Sequence, residues 1–511
     1  MAGPDRAWAC GVPRGGVTGP VRGLLVAAAL VAALPARGAA QHEHHPDRPR
    51  ATAATRAAAP GQAGAGIAPA YGRAGRAIDV AGGADLAAAV AGAVPGDTIR
   101  VRGTHRGDLR IRVPLTLAAA GPDARLVGSG HGTVVSVESD SVEVRGLAIS
   151  GSGPSLERDD AAIKLWRCRG CRILDNRIVE SLHGIYLLES ANVRVEDNRI
   201  RGRADMGEAR RGNGIHLYAS SGNRIERNQV RGARDGIYFS FADGNDVADN
   251  DIAEVRYGLH YMYSDDNRFR GNVFRRNAAG AALMFSERIE FRDNVFADHS
   301  GARAYGILLQ TAADIVAVGN RIEGNRIGLF MDNAVTSTFR ENAIVGNGIG
   351  IDMLSSAEGN LFTKNAIAAN RIAVRRQGET GVNEWSVGGV GNYWGDASVL
   401  DLDGDGVGER PHEAGDPFVS LAAGRPALAL FQETPAARAL AWAERAFPVF
   451  DLPHVRDPHP LAAPPAGAPE ARPAGNAAID LPALAMAALL VGLVPLLFPR
   501  LRAVRRGEGP R

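Results

Sequence analysis

The chain has 511 residues, 45% of them hydrophobic and 22% charged, which suits a packed core and argues against global disorder. Lys and Arg (58) nearly balance Asp and Glu (56), so the basic excess of a dedicated nucleic-acid binder is missing. Three Cys are too few for a disulfide scaffold, and 63 Gly without a G-X-Y period signal many tight turns.

The N-terminus reads as an export signal over residues 1–40. Arg6, Arg14 and Arg22 precede the apolar stretch Gly23–Leu34, and Gly38-Ala39-Ala40 offers small residues for cleavage. Residues 41–76, rich in Ala, Gly, Pro and Arg, read as a disordered linker. The linker opens with His42, His44 and His45, a cluster that suits copper, with a chance polar tail as the alternative.

From residue 77 to about 390 the sequence repeats. Asn followed by an apolar strand recurs at Asn176, Asn198, Asn228, Asn250, Asn272, Asn294, Asn320, Asn342 and Asn365, at spacings of 22, 30, 22, 22, 22, 26, 22 and 23. Gly keeps the same beat from Gly184 to Gly350, and Asn192, Asn223, Asn245 and Asn267 suggest a further turn column. Between these marks, apolar and polar residues alternate over three to five positions, which is strand periodicity. Gly and Asn both tolerate the left-handed backbone of tight turns. The fold expected is all-β, a right-handed parallel β-helix of about 22 residues per coil, without the Leu consensus of leucine-rich repeats. An Ala-rich helix over Leu86–Val94 is expected to cap its open end. Two longer coils carry eight extra residues in Arg201–Gly212 and four near Asp298–Tyr305, and such insertions often mark a binding side.

Residues 391–461 read as an extension with an Asp/Gly-rich loop and a helix, and 462–479 as an Ala/Pro-rich linker. Residues 480–499 read as a transmembrane helix, whose apolar run Leu481–Pro499 is long enough, at about 28 Å, to cross a bilayer. The basic tail 500–511 would then lie in the cytoplasm, with the body outside the membrane. A buried terminal helix is the alternative.

Within each coil, side chains one and three after the column Gly should face the core, among them Ile237, Phe239, Leu259, Tyr261, Met331 and Met353. Those two and four after it should face outward, forming a stripe of Tyr186, His216, Tyr218, Tyr238, His260, Met262 and Met284. His260 and Met262 lie two apart on one strand, and Met284 one coil later, about 4.8 Å away. Imidazole accepts copper in either state and thioethers select Cu(I), so these three could converge on one ion, with His216 two coils off as a second station. The competing expectation is an apolar patch covered by the segment around Trp442 and Phe447, with Met as adaptable filler.

Asp401, Asp403 and Asp405 follow the first positions of a calcium loop and Glu409 could contribute, but His412 stands where the bidentate Glu belongs. The alternative is a plain Asp/Gly-rich turn. Cys168-Arg-Gly-Cys171 could be a disulfide or a metal pair, with a local structural role favoured. Asp332 and Asp352 lie on adjacent coils, but no dense acidic cluster of a polysaccharide hydrolase or lyase emerges, so no catalysis is expected.

The segments Gly258-Leu-His-Tyr-Met-Tyr263, Ala282-Leu-Met-Phe-Ser286, Asn383-Glu-Trp-Ser386, Gly391-Asn-Tyr-Trp-Gly-Asp396, Asp401-Leu-Asp-Gly-Asp-Gly-Val-Gly408 and Leu440-Ala-Trp-Ala-Glu-Arg-Ala-Phe-Pro448 resemble the NosD family. These are periplasmic accessory proteins of nitrous-oxide reductase maturation, and the likeness covers about residues 78–461. The resemblance implies a parallel β-helix working beside an ABC transporter permease and ATPase. With a copper chaperone, it would help copper reach the client reductase. A carbohydrate-binding or polysaccharide-cleaving β-helix and a bare envelope scaffold are the rival readings.

Overall fold

The computed structural model describes residues 75–378, 381–395, 397–415, 434–435 and 455–465. The export signal, the linker with His42, His44 and His45, the segment around Trp442 and Phe447, and the membrane helix of residues 480–499 lie outside them. Among the described residues no helix is long and apolar enough to cross a membrane.

The strands form three parallel sheets of 13, 12 and 13 strands, each strand pairing with its counterpart one coil away. One coil runs through Asp235–Ser240, Asp246–Ala248 and Asp251–Ala253 before the chain returns at Tyr257–Met262 beside its start. The 12-stranded sheet holds the longest strands, up to nine residues, as in Ala279–Glu287. All the positions expected to face inward, including Met331 and Met353, join one continuous core. Like rings stack coil on coil within it, Phe269 on Phe291 with centroids 5.0 Å apart and Phe274 on Phe296 at 5.1 Å.

The asparagine column is the spine of the solenoid. Each Oδ1 accepts from the backbone N–H and the Nδ2 of the preceding rung, as Asn272 does from Asn250 at 3.1 and 2.9 Å. The column runs in this way from Asn176 to Asn392. A second column links Asn223, Asn245 and Asn267. Asn192 is not part of it. The chain turns there with a positive φ of 55°, and the rung position falls to Val193, whose N–H donates to Asn223.

The column glycines answer a different need. Gly258 has an ordinary φ, but a Cβ on it would sit 2.6 Å from the Gly280 carbonyl oxygen and 2.6 Å from Phe274 Cδ1. Neither backbone nor packed ring can yield there. Gly258→Ala should therefore cost about 1–3 kcal/mol of stability, read as a lowered Tm. An unchanged Tm would show that the coils can separate to admit a methyl group.

The capping helix forms but is shorter than expected, Leu86–Ala91, with Asp85 as its N-cap. Gly92 ends it by donating back to Ala88 and Val90, and Leu86 and Val90 bury over the first coil. At the other end Trp385 stacks on Phe362 at 4.4 Å and Trp394 lies 5.7 Å from Trp385, closing the core with aromatic rings. Tyr393–Trp394 still pairs with Ala366–Ala368, so coil pairing continues slightly beyond residue 390. His412–Ala414 and Val455–Asp457 form a small antiparallel pair beside this end.

Candidate functional site

The long-strand sheet carries the candidate site on its outer face. Both expected insertions, and also residues 151–160, lie where the chain enters this sheet, so all three border the same edge of it. The register places Tyr186, His216, Tyr238 and His260 side by side on successive strands. Their rings pack edge to face at centroid distances of 4.3, 4.5 and 4.8 Å. Packed in this way, Tyr186, Tyr238 and His260 are buried although they stand apart from the main core. The sequence placed these residues outward, and the structure adds that outward is not exposed.

His260 is held by a group that the sequence reading missed. Asp235, fully buried, takes the His260 Nδ1 at 3.0 Å from its Oδ2. Arg256 clasps the same carboxylate with its Nε at 2.8 Å and Nη2 at 2.7 Å. Burial alone would raise the Asp235 carboxyl, but hydrogen bonds from His260 and Arg256 overcome it and hold the group below the usual carboxylate range. An ionised carboxylate only accepts, so Nδ1 carries a proton, and in the neutral ring Nε2 is then the nitrogen with the lone pair. The only available hint was that Asp235 directly precedes a column Gly.

His183, beside the row, and His216, within it, differ. His183 accepts the Asn213 backbone N–H at Nδ1 (3.0 Å), so in the neutral ring Nε2 carries the hydrogen. Burial, with Lys164 and Arg234 nearby, pushes His183 down to about 3. Burial likewise lowers His216 well below its ordinary value. His216 Nδ1 faces the Asn213 amide at 3.3 Å, while its Nε2 is buried without a hydrogen-bond partner. Ser240 Oγ, one coil on and two residues along the strand, is also buried and unpartnered.

Met262 and Met284 are direct register partners, as the repeat implied. The Met262 sulfur, however, reaches back to the Tyr238 hydroxyl at 3.9 Å. Convergence of His260, Met262 and Met284 therefore needs a rotamer change at Met262, an inexpensive one for an unbranched thioether. His216 stands two coils from His260 with the Tyr238 ring between, which places it outside any shared coordination sphere.

Beyond Met262 and Met284 the sheet turns a corner. Phe241, Tyr263 and Phe285 occupy it on three successive coils, each with φ between 50° and 55°. Their rings stack at 5.3 and 5.1 Å, and Phe285 is 44% exposed.

The remaining candidates lie elsewhere. Asp401, Asp403 and Asp405 present oxygens within 4.8 Å of one another. Glu409 is not among them, because its Oε1 folds back to accept from the Leu402 and Asp403 N–H groups at 2.8 and 3.3 Å. Cys168 and Cys171 are disulfide-bonded and buried in the core, which resolves that pair as a local staple. Asp352 is buried and gripped by Arg375 and Gln377, and Asp332 bonds to Gln310 and Ser356.

The NosD family model, described as a periplasmic copper-binding protein, matches residues 203–399, which span the imidazole row from His216 through the two Met. A probable ABC transporter binding protein NosD of Pseudomonas aeruginosa is 38% identical over 387 residues, covering 72% of this chain and 88% of its own. The chain belongs to the NosD family. A second NosD, from Stutzerimonas stutzeri, is 33% identical over 375 residues, covering 70% and 85%. Among solved structures, an N-terminal fragment of bacteriophage Phi29 gene product 12 superposes with a TM-score of 0.47 at 12% identity, covering 57% of this chain and 60% of that one. A mannuronic acid-specific family 6 lyase from human gut microbiota gives 0.44 at 13%, covering 64% and 89%. Likenesses at that level carry no argument about what this NosD does.

Proposed function

We propose that this NosD protein handles Cu(I) on the outer face of its long-strand sheet, and that it acts outside the cytoplasm with an ABC transporter to supply the copper centres of nitrous-oxide reductase. The reading treats the protein as a non-catalytic accessory. The observation that carries it is the Asp235–His260 pair, which engages Nδ1 and so leaves Nε2 as the lone-pair nitrogen of the neutral ring, on the strand that bears Met262. A carboxylate behind a histidine is the arrangement that orients an imidazole for a metal and raises its basicity. Met262 and Met284, in register beside it, add the soft donors that select Cu(I) over harder ions.

The test is Cu(I) competition against a chromophoric chelator. Met262→Leu with Met284→Leu keeps bulk and apolar character while removing both sulfurs. Affinity should fall at least about tenfold, equivalent to about 1.4 kcal/mol of binding free energy, and copper loading of the reductase in cells should fall with it. Unchanged affinity and loading in the double variant would assign the two Met to packing.

A further inference from the structure

The donors assigned to Cu(I) carry no charge of their own. A neutral imidazole and two thioethers leave the field at the ion to the groups standing behind His260. Those groups are cationic in sum. Asp235, fully buried, is the carboxylate bonded to the ring. Arg256 clasps it through Nε and Nη2, and the same Nη2 stands 3.4 Å from His260 Nδ1. The guanidinium is fixed further by the Tyr257 ring, whose centroid lies 4.6 Å away. Arg234 brings a second guanidinium to 3.7 Å from the same Asp235 oxygen, too far for a hydrogen bond. One carboxylate thus meets two guanidiniums, which leaves one positive charge over. The two arginine side chains are only 32% and 21% exposed, so water and salt screen them little. Glu208, on the 201–212 insertion, also attracts Arg256, but it is exposed and screened.

A carboxylate behind a metal-bound histidine ordinarily lends the site negative charge, and a divalent ion gains most from it. Here Asp235 keeps its orienting role while the two arginines cancel its charge and exceed it. The leftover charge repels an ion on the His260 ring in proportion to the charge of that ion, so a divalent ion is repelled twice as strongly as Cu(I). Thioether softness alone does not exclude divalent ions from the imidazole, since imidazole suits Zn(II) and Cu(II) as well.

We propose that Arg256, backed by Arg234, sets the valence of the bound ion, so that the His260 site takes monovalent Cu(I) and rejects divalent Zn(II) and Cu(II). This rests on the Cu(I) reading above.

The experiment measures two affinities of the full chain at one pH. Cu(I) is measured with ascorbate against bathocuproine disulfonate, and Zn(II) against a chromophoric zinc chelator. Arg256→Gln removes the charge and keeps a hydrogen-bond donor for Asp235. If the repulsion is worth roughly tenfold per unit of ionic charge, Cu(I) affinity should rise about tenfold and Zn(II) affinity about a hundredfold, which moves the ratio toward Zn(II) about tenfold. Arg256→Lys keeps the charge but loses the bidentate clasp, and its ratio should stay within about threefold of wild type. Arg234→Gln leaves the clasp intact and should move the ratio the same way by a smaller step. Should Arg256→Gln fold poorly, Arg234→Gln carries the comparison alone. An unchanged ratio in the Gln variants would overturn the proposal while leaving the copper reading intact. Equal shifts in the Gln and Lys variants of Arg256 would also overturn it, making Arg256 a prop for Asp235 and no more. Failure of the wild-type chain to hold Cu(I) at all would overturn the reading beneath it.

Discussion

Asn272→Ala should lower stability by about 3–5 kcal/mol, a large effect for one side chain. The side chain is buried and makes four hydrogen bonds. Oδ1 accepts from Asn250 N at 3.1 Å and Asn250 Nδ2 at 2.9 Å, while Nδ2 donates to Val247 O and to Asn294 Oδ1, each at 2.9 Å. Alanine leaves the Asn250 donors without their acceptor in a place water cannot reach, and each buried orphan costs about 1–3 kcal/mol. Adjacent coils contribute to stability mainly through their shared interface, so the loss should also split cooperativity at this coil. Thermal unfolding followed by circular dichroism checks both points. A loss below about 1 kcal/mol would mean that the spine relaxes around a gap and that backbone pairing alone holds the coils.

Mild acid should also destabilise the solenoid, through histidines it keeps neutral. Burial pushes His183 and His299 from an ordinary value near 6.5 down to about 3. In the unfolded chain both protonate as pH falls through about 6.5, whereas in the folded chain neither does until about 3. Across that window the unfolded state binds more protons, so stability falls with falling pH, by an amount on the order of several kcal/mol. His299 gives the clean test. It fills a rung between Asn277 and Asn325, accepting the Asn277 N–H at Nδ1 (3.2 Å) and donating its own N–H to Asn325 Oδ1 (3.1 Å), while its Nε2 is buried and unpartnered. His299→Asn restores the rung chemistry of its neighbours and removes one titrating group. Stability should hold or rise at neutral pH, and, with His183 and His216 still buried, the drop between pH 7 and 4 should shrink by roughly a third. An unaltered acid slope in this variant would place the proton uptake elsewhere.

The spine and the core were legible because each follows from one repeated physical demand. Asn at one beat can serve its neighbour on every coil, and alternation then assigns the inward residues from Ile237 to Met353. The same reasoning misplaced Asn192, because asparagine suits both a rung and a left-handed corner and the sequence does not say which job it has. The stacking of Met262 on Met284 was readable from the 22-residue interval. The grip of Asp235 on His260 was not, because it crosses 25 residues and follows no beat. Nor was the burial of the outer row legible, since it depends on how rings lean against one another once the coils are stacked.

The asparagine column also has a direction. Every rung receives at oxygen from the coil before and gives through nitrogen to the coil after, so the amide dipoles add along the axis, negative toward the first coil and positive toward the last. At the positive end the next rung is not an amide. Asn392 N donates to Asp457 Oδ2 at 2.7 Å, across 65 residues of sequence, and Trp394 Nε1 reaches the same oxygen at 2.8 Å. A carboxylate oxygen accepting from the last rung thus terminates the aligned dipoles, in the place an acceptor takes at the N-terminus of an α-helix. The donors of the last rung, which another chain could otherwise take, are occupied by one carboxylate returning from far along the sequence.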